Sequence, residues 1–226
     1  MSLSCWKKLI RRPLETSSAA AILPRIAEAP CVSFDVFDTL LKRAVPRPHD
    51  VFRRMGEAMG DSSFTKRRIA AEHMARQTAA KKNIEEITLA DIYACMPEKD
   101  RKLAEAEIEM ERTLSRPNAW LAPVLQACES RHAHIFAVSD MYLPQAFVAE
   151  LLSRAGIEVE RLFVSSAYGC QKGTGNLFRI VLRETGIAPE DVVHIGDALR
   201  ADYFGARKAG IRSILIPRDV PQSRES

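Results

Sequence analysis

Ser33-Phe34-Asp35-Val36-Phe37-Asp38-Thr39-Leu40-Leu41 is the stretch on which the fold turns. With Cys31 and Val32 before it, the run Cys31–Asp35 is short, apolar and ends in a carboxylate, which predicts a buried strand. The same reading fits Ala133–Val138, Arg161–Ser165, Asp191–Ile195 and Arg212–Ile216. Helical segments follow: Pro144–Ala155 stopped by Gly156, Asn176–Thr185 stopped by Gly186, and Ala201–Ala209 stopped by Gly210. A glycine just past the last turn supplies the left-handed cap, and its recurrence marks three helix ends. Strands alternating with helices of this length predict βαβ units and a Rossmann-like α/β fold with a parallel sheet.

Residues 46–117 break the alternation. Val51, Phe52, Met55 and Met59 follow helical spacing, as do Ile84, Ile87 or Thr88, and Ile92, and again Leu103, Ala106, Met110 and Leu114. No strand is expected there, so a helical insertion follows the first strand directly. The charged stretches Thr65-Lys66-Arg67-Arg68 and Glu105–Glu111 read as solvated helix faces. The expected organisation is an N-terminal extension over 1–29, a core over 30–45 and 118–220, and a helical cap over 46–117.

The 226 residues carry a net charge of +4, with 46% hydrophobic and 27% charged residues. That is ordinary globular usage. Much of the basic excess lies in Lys7, Lys8, Arg11 and Arg12, which suits a small anionic ligand but is no nucleic-acid footprint. Five scattered cysteines with no CxxC pairing fit a reduced, cytoplasmic setting rather than a disulfide framework or zinc site. No apolar run is long enough to span a membrane. Pro24-Arg25 breaks the short apolar stretch after Ser17-Ser18, so a cleaved signal peptide is not expected. Trp6, Leu9 and Ile10 read as a solvated terminus. His49, His73, His132 and His134 have no metal-ligand spacing, and His194 reads as core packing.

Asp35, Ser139 and Asp197 each fall within a residue or two of the carboxyl end of an expected strand. In an open parallel sheet that is where ligands bind. One strand-terminal Asp often only caps a helix. Three polar residues at three strand ends, with Lys172 between the last two, point to one crevice instead. Together they supply a carboxylate nucleophile, a hydroxyl, a fixed cation and acidic metal ligands.

On these segments the chain resembles the haloacid dehalogenase-like (HAD) hydrolase superfamily from about Pro30 to Pro217. Asp35 with Thr39-Leu40 matches the first motif of that family, and Ile135-Phe136-Ala137-Val138-Ser139 the second. Gly169-Cys170-Gln171-Lys172-Gly173 matches the third, and Gly196-Asp197 with Asp202 the fourth. The wording of the first segment, with Val138-Ser139-Asp140-Met141-Tyr142-Leu143, resembles a bacterial branch associated with surface-polysaccharide biosynthesis, whose proteins would then be candidate partners.

The resemblance implies a five-stranded sheet of order 5-4-1-2-3 with an inserted all-helical cap, and Mg²⁺-dependent hydrolysis of a small phosphorylated metabolite. Asp35 would be the nucleophile, forming an aspartyl-phosphate. Asp35, the Phe37 backbone carbonyl, Asp197 and Asp202 would hold the metal. Ser139 and Lys172 would act on the phosphoryl group, with Thr39, Asp140 and Arg43 among the substrate contacts. Arg47 and His49 are further contacts for an anionic substrate, and Phe52, Met55, Met59, Tyr93 and Met96 are lid or packing residues.

One residue departs from the pattern. Most phosphatases of this superfamily carry a second Asp two positions after the nucleophile, where this chain has Phe37. Such an acid contributes roughly 10²–10⁴-fold in rate. Three readings follow: a phosphatase in which Asp38 or Asp140 replaces the acid or whose substrate has a good leaving group, a dehalogenase, or a weakly active or inactive ligand-binding module. Retention of Asp197 and Asp202 speaks against the dehalogenase.

Overall fold

The computed structural model of the protein describes Thr16 and residues 18–218. The basic residues at positions 7–12 and the Trp6 cluster lie outside the described residues. Among the described residues there are seven strands: β1 (Cys31–Phe34), β2 (Leu41–Arg43), β3 (Ser115–Pro117), β4 (His134–Ser139), β5 (Arg161–Val164), β6 (Val192–Gly196) and β7 (Arg212–Leu215). Five form a parallel sheet in the order β5-β4-β1-β6-β7, and β2 and β3 form an antiparallel ribbon. In chain numbering this differs from 5-4-1-2-3 because the ribbon, which the sequence did not suggest, takes two numbers. With the ribbon set aside, the neighbours in the sheet are the expected ones.

Every residue of the central strand β1 is buried, as a strand covered on both faces must be. Alternation divides its side chains. Val32 and Phe34 join Ile135 and Ala137 in one apolar cluster, while Cys31 joins Phe136 and Val138 in another. Register decides where the sheet presents its chemistry. Phe34 lies opposite both Ala137 and Ile195, so Asp35, Ser139 and Asp197 leave their strands at almost one level.

The ribbon pairs Leu41 with Pro117 and Arg43 with Ser115. Between its strands lie helices α1 (Asp50–Met59), α2 (Phe64–Lys81), α3 (Leu89–Ala94) and α4 (Ala104–Leu114). Besides the strand Ser115–Pro117, which was not expected within 46–117, two further expectations for this insertion fail. Ile84–Ile87 are not helical, because Thr88 starts α3: its hydroxyl accepts from the Asp91 N–H while Asp91 accepts from the Thr88 N–H. The stretches around Arg68 and Glu107 are not wholly solvated either. The buried residues of α2 are Phe64, Arg68, Ala71 and Ala75, and those of α4 are Glu107 and Glu111.

These buried charges are paired. Arg68 is fully buried and grips Glu107 with two hydrogen bonds, 2.6 and 2.7 Å, while the Tyr93 hydroxyl donates to the same carboxylate at 2.8 Å. Bidentate geometry suits a guanidinium taken out of water. The remaining helices flanking the sheet include α5 (Ala122–Ser130), α6 (Gln145–Arg154) and α7 (Asn176–Thr185). Gly156 and Gly186 adopt φ of 68° and 70° beyond α6 and α7, as the cap signal requires.

Candidate active site

Beyond the carboxyl ends of β1, β4 and β6 opens a cavity of about 240 Å³ lined by Asp35, Ser139, Asp140, Lys172 and Asp197, with Phe37 beside them. Asp35 follows β1 directly and is held by its N–H to the Ile195 carbonyl. Ser139 closes β4. Its hydroxyl is hydrogen-bonded to no described residue, which leaves it free toward the cavity.

Lys172 joins the group from the loop before α7. Its buried ammonium lies 2.5 Å from Asp35 Oδ1 and 2.6 Å from Asp202 Oδ1. Burial opposes its charge, but Asp202 and Asp35 outweigh burial and hold its pKa above the ordinary lysine value. One ammonium thus faces two carboxylates. For Asp202 burial is likewise outweighed, by Lys172 and His194, and its carboxyl is held below the usual range. For Asp35 burial prevails over the pull of Lys172, with Asp202 and Asp197 adding repulsion, and its carboxyl is pushed well above the usual range. Burial also raises Asp197, against the pull of Arg218, whose Nε sits 2.5 Å from Asp197 Oδ2.

Oxygen atoms of Asp35, Asp197 and Asp202 all lie within 4.8 Å of one another. Three crowded, buried carboxylates with excess negative charge suit a small hard cation. Asp202 is the most committed of the three. It accepts from Lys172, from the Ala198 N–H at 2.7 Å and from His194 Nε2 at 3.2 Å. A side chain at position 196 would collide with that carboxyl group, since a Cβ there would lie 2.3 Å from the Asp202 carboxyl carbon. Gly205 likewise lets the following turn approach Lys172: a Cβ would lie 2.2 Å from the Lys172 carbonyl oxygen.

Several expected residues take other places. Thr39 is fully buried, its hydroxyl finds no hydrogen-bond partner among the described residues, and it is not among the residues lining the cavity. Its carbonyl instead accepts from Asn118 Nδ2. Arg43 reaches the cavity wall, but its guanidinium is bound to Glu111 at 2.8 and 3.1 Å and lies 4.3 Å from the Phe37 ring centre. Arg47 is largely exposed and pairs with Asp50. His49 does line the cavity.

Asp140 lines the cavity too, and its Oδ1 accepts from the Lys172 N–H at 2.8 Å. Burial pushes its carboxyl up to about 6, against the pull of Lys172.

Three features escaped sequence reasoning. His194 does more than pack. Asp202 can only accept, so the imidazole donates through Nε2 and its Nδ1 takes the Ser33 hydroxyl at 2.9 Å. Arg218 follows the last strand with no motif to announce it. Glu85 and Glu86, in the loop between α2 and α3, bind the loops that carry the other site residues. Glu85 accepts from the Gln171 N–H, Thr174 Oγ1 and Asn176 Nδ2, on either side of Lys172. Glu86 accepts from Ser165 Oγ, which in turn accepts from the Met141 N–H next to Asp140. The insertion therefore braces the site.

The sequence model of the haloacid dehalogenase-like hydrolase family matches residues 30–210. The chain belongs to that family. It is 31% identical over 133 residues to a phosphoserine phosphatase of Thermus thermophilus, which covers 58% of this chain and 52% of the relative. It is 33% identical over 78 residues to a glyceraldehyde 3-phosphate phosphatase of Methanopyrus kandleri, covering 34% of each. The chain thus spans about half the length of the first relative and a third of the second. Among solved structures, the defluorinating L-2-haloacid dehalogenase Rha0230 superposes with a TM-score of 0.61 at 17% identity, over 86% of this chain and 85% of that one. At that identity the likeness concerns the fold.

Proposed function

We propose that the protein hydrolyses a small phosphomonoester or acyl phosphate through Asp35, with Mg²⁺ held by Asp35, the Phe37 carbonyl and Asp197. The observation that carries this reading is the convergence of the buried side chains of Asp35, Ser139, Lys172 and Asp197 on one cavity. The phosphatases among its relatives support the phosphoryl substrate. Bound Mg²⁺ supplies positive charge to the phosphoryl oxygens and to the crowded carboxylates. Asp202 stands behind, orienting Lys172.

The chain's own groups do the rest. An Asp35 oxygen attacks phosphorus, the bond to the leaving oxygen breaks, and an aspartyl-phosphate forms. Ser139 donates to a phosphoryl oxygen, and Lys172 aligns Asp35 and offsets phosphate charge. Water then cleaves the acyl phosphate, releasing phosphate and restoring the carboxylate. Asp140 replaces the acid missing at Phe37: it lines the cavity, and burial pushes its carboxyl up to about 6, which keeps a proton available near that pH. The helices within 46–117 act as the cap. A cytoplasmic location fits the unpaired cysteines, four of which are free among the described residues. Proteins of surface-polysaccharide synthesis are the proposed partners, on the wording of the first two segments alone.

Phe37 itself favours a second reading, a binding module with little turnover. The test is phosphate release from acetyl phosphate and p-nitrophenyl phosphate, whose leaving groups need little protonation. Mg²⁺-dependent release by the wild type that vanishes in Asp35→Asn is expected. Release no greater than that of the mutant would favour the binding module.

A further inference from the structure

Strands β1 and β6 are buried along their whole length and apolar except at two residues, Ser33 and His194. The register sets these two opposite each other. The Ser33 hydroxyl donates to His194 Nδ1 at 2.9 Å, and Nε2 donates to Asp202 Oδ1 at 3.2 Å. Lys172 Nζ donates to the same Asp202 oxygen at 2.6 Å and to Asp35 Oδ1 at 2.5 Å. One hydrogen-bonded line therefore runs from the middle of the sheet to the nucleophile, and all five of its members are buried.

A polar ring inside an apolar strand is costly unless its nitrogens are satisfied, and a phenyl ring would fill the space without that cost. The imidazole also stands edge-on to Phe178 of α7, with ring centres 4.7 Å apart. It thus touches both the carboxylate that binds Lys172 and the helix that follows the Lys172 loop. The other Asp202 oxygen is taken by the Ala198 N–H at 2.7 Å. Oδ1 carries two side-chain donors, and the one from His194 tempers the pull of Asp202 on the ammonium. Without it, Asp202 draws Lys172 inward and away from Asp35.

We propose that His194 is a positioning residue: by sharing Asp202 Oδ1 with Lys172, its Nε2–H holds the ammonium poised between Asp202 and Asp35. The consequence for turnover rests on the phosphatase reading of the cavity, whereas the placement of Lys172 does not.

Three replacements separate the donor from the ring. His194→Phe keeps a ring against Phe178 and supplies no donor. His194→Asn ends near the Nδ1 position, so it reaches Ser33 but not Asp202. His194→Gln brings an amide N–H to the Nε2 position. Two readouts keep this inference apart from the reading beneath it. One is kcat and KM for acetyl phosphate with Mg²⁺. The other is the NMR signal of the Lys172 ammonium in protein labelled with ¹⁵N-lysine, which reports its partners without turnover.

In His194→Phe and His194→Asn, kcat is expected to fall by about 10–100-fold with a smaller change in KM. His194→Gln should recover most of that loss. The Lys172 signal should move in the first two variants and return in the third, and in the wild type His194 Nε2 should carry a proton. A proton on Nδ1 alone overturns the inference, as does a Lys172 signal that stays in place in His194→Phe and His194→Asn. So does a His194→Gln protein no better than His194→Phe. If His194→Phe fails to fold, His194→Gln, His194→Asn and the wild-type ring decide in the same way. Absence of turnover in the wild type would remove the phosphatase reading and leave the Lys172 signal to decide this one.

Discussion

Both the strand-end cavity and the helical insertion bury charged side chains, but they dispose of them differently. In the insertion the charges are paired: Glu107 meets Arg68 and Tyr93, and Arg76 meets Glu72 and Glu86. In the cavity the balance is left open, with one lysine for two acids, a serine hydroxyl without a partner among the described residues, and Asp140 pushed up by burial. Buried charge alone therefore does not mark a site. The mark is charge whose neutralisation is incomplete within the protein, since a ligand can then complete it.

Asp35→Asn breaks the comparison most severely on the cavity side. It should bring turnover to background, while thermal unfolding stays at or above the wild-type midpoint, because burial already disfavours the Asp35 charge. On the insertion side the effects should exchange. Arg68→Met strands the Glu107 carboxylate and should cost about 3–5 kcal/mol in urea unfolding, whereas Arg68→Met with Glu107→Leu should recover most of it. A single mutant that unfolds normally would mean that the pair is not buried in solution.

The brace between the regions should show an intermediate effect. Glu85→Ala frees the loop on either side of Lys172, and kcat should fall by up to about 10²-fold with a smaller change in KM. Glu85→Gln, which keeps an accepting oxygen, should restore part of the loss. An unchanged kcat in Glu85→Ala would remove Glu85 from any part in positioning the site.

The smallest effect is a pH dependence. Burial raises the folded-state pKa of Asp140 from an ordinary value near 3.8 to about 6. The stabilisation from its bound proton is complete below about 3.8 and is lost as pH rises through about 6. Denaturant midpoints measured across this window should therefore decline less in Asp140→Asn. Turnover of substrates with poor leaving groups should fall above about pH 6, and p-nitrophenyl phosphate should be nearly indifferent.

The two regions also differed in how much the sequence disclosed. The sheet was legible because each strand is a short apolar run and three following helices end on glycine. Its register then carries Asp35, Ser139 and Asp197 to one level. The ribbon was not legible: Leu41-Lys42-Arg43 and Ser115-Arg116-Pro117 are three-residue strands, mostly polar and far apart in sequence. Arg68, Glu107 and Glu111 were misread because charged residues along a helix ordinarily face water. The spacing of Phe64, Arg68, Ala71 and Ala75 did hold a clue, since it sets Arg68 on an apolar stripe. Glu85 and Glu86 offered none, being two acids in a loop whose partners lie about eighty to ninety residues further along.

The most direct test of the account is to quench the protein in acid during turnover of acetyl phosphate with Mg²⁺ and map any covalent phosphoryl group by mass spectrometry. A hydroxylamine-sensitive phosphoryl group on the peptide containing Asp35, absent from Asp35→Asn, is the predicted result. Turnover that persists in Asp35→Asn, or a phosphoryl group on another residue, would contradict it.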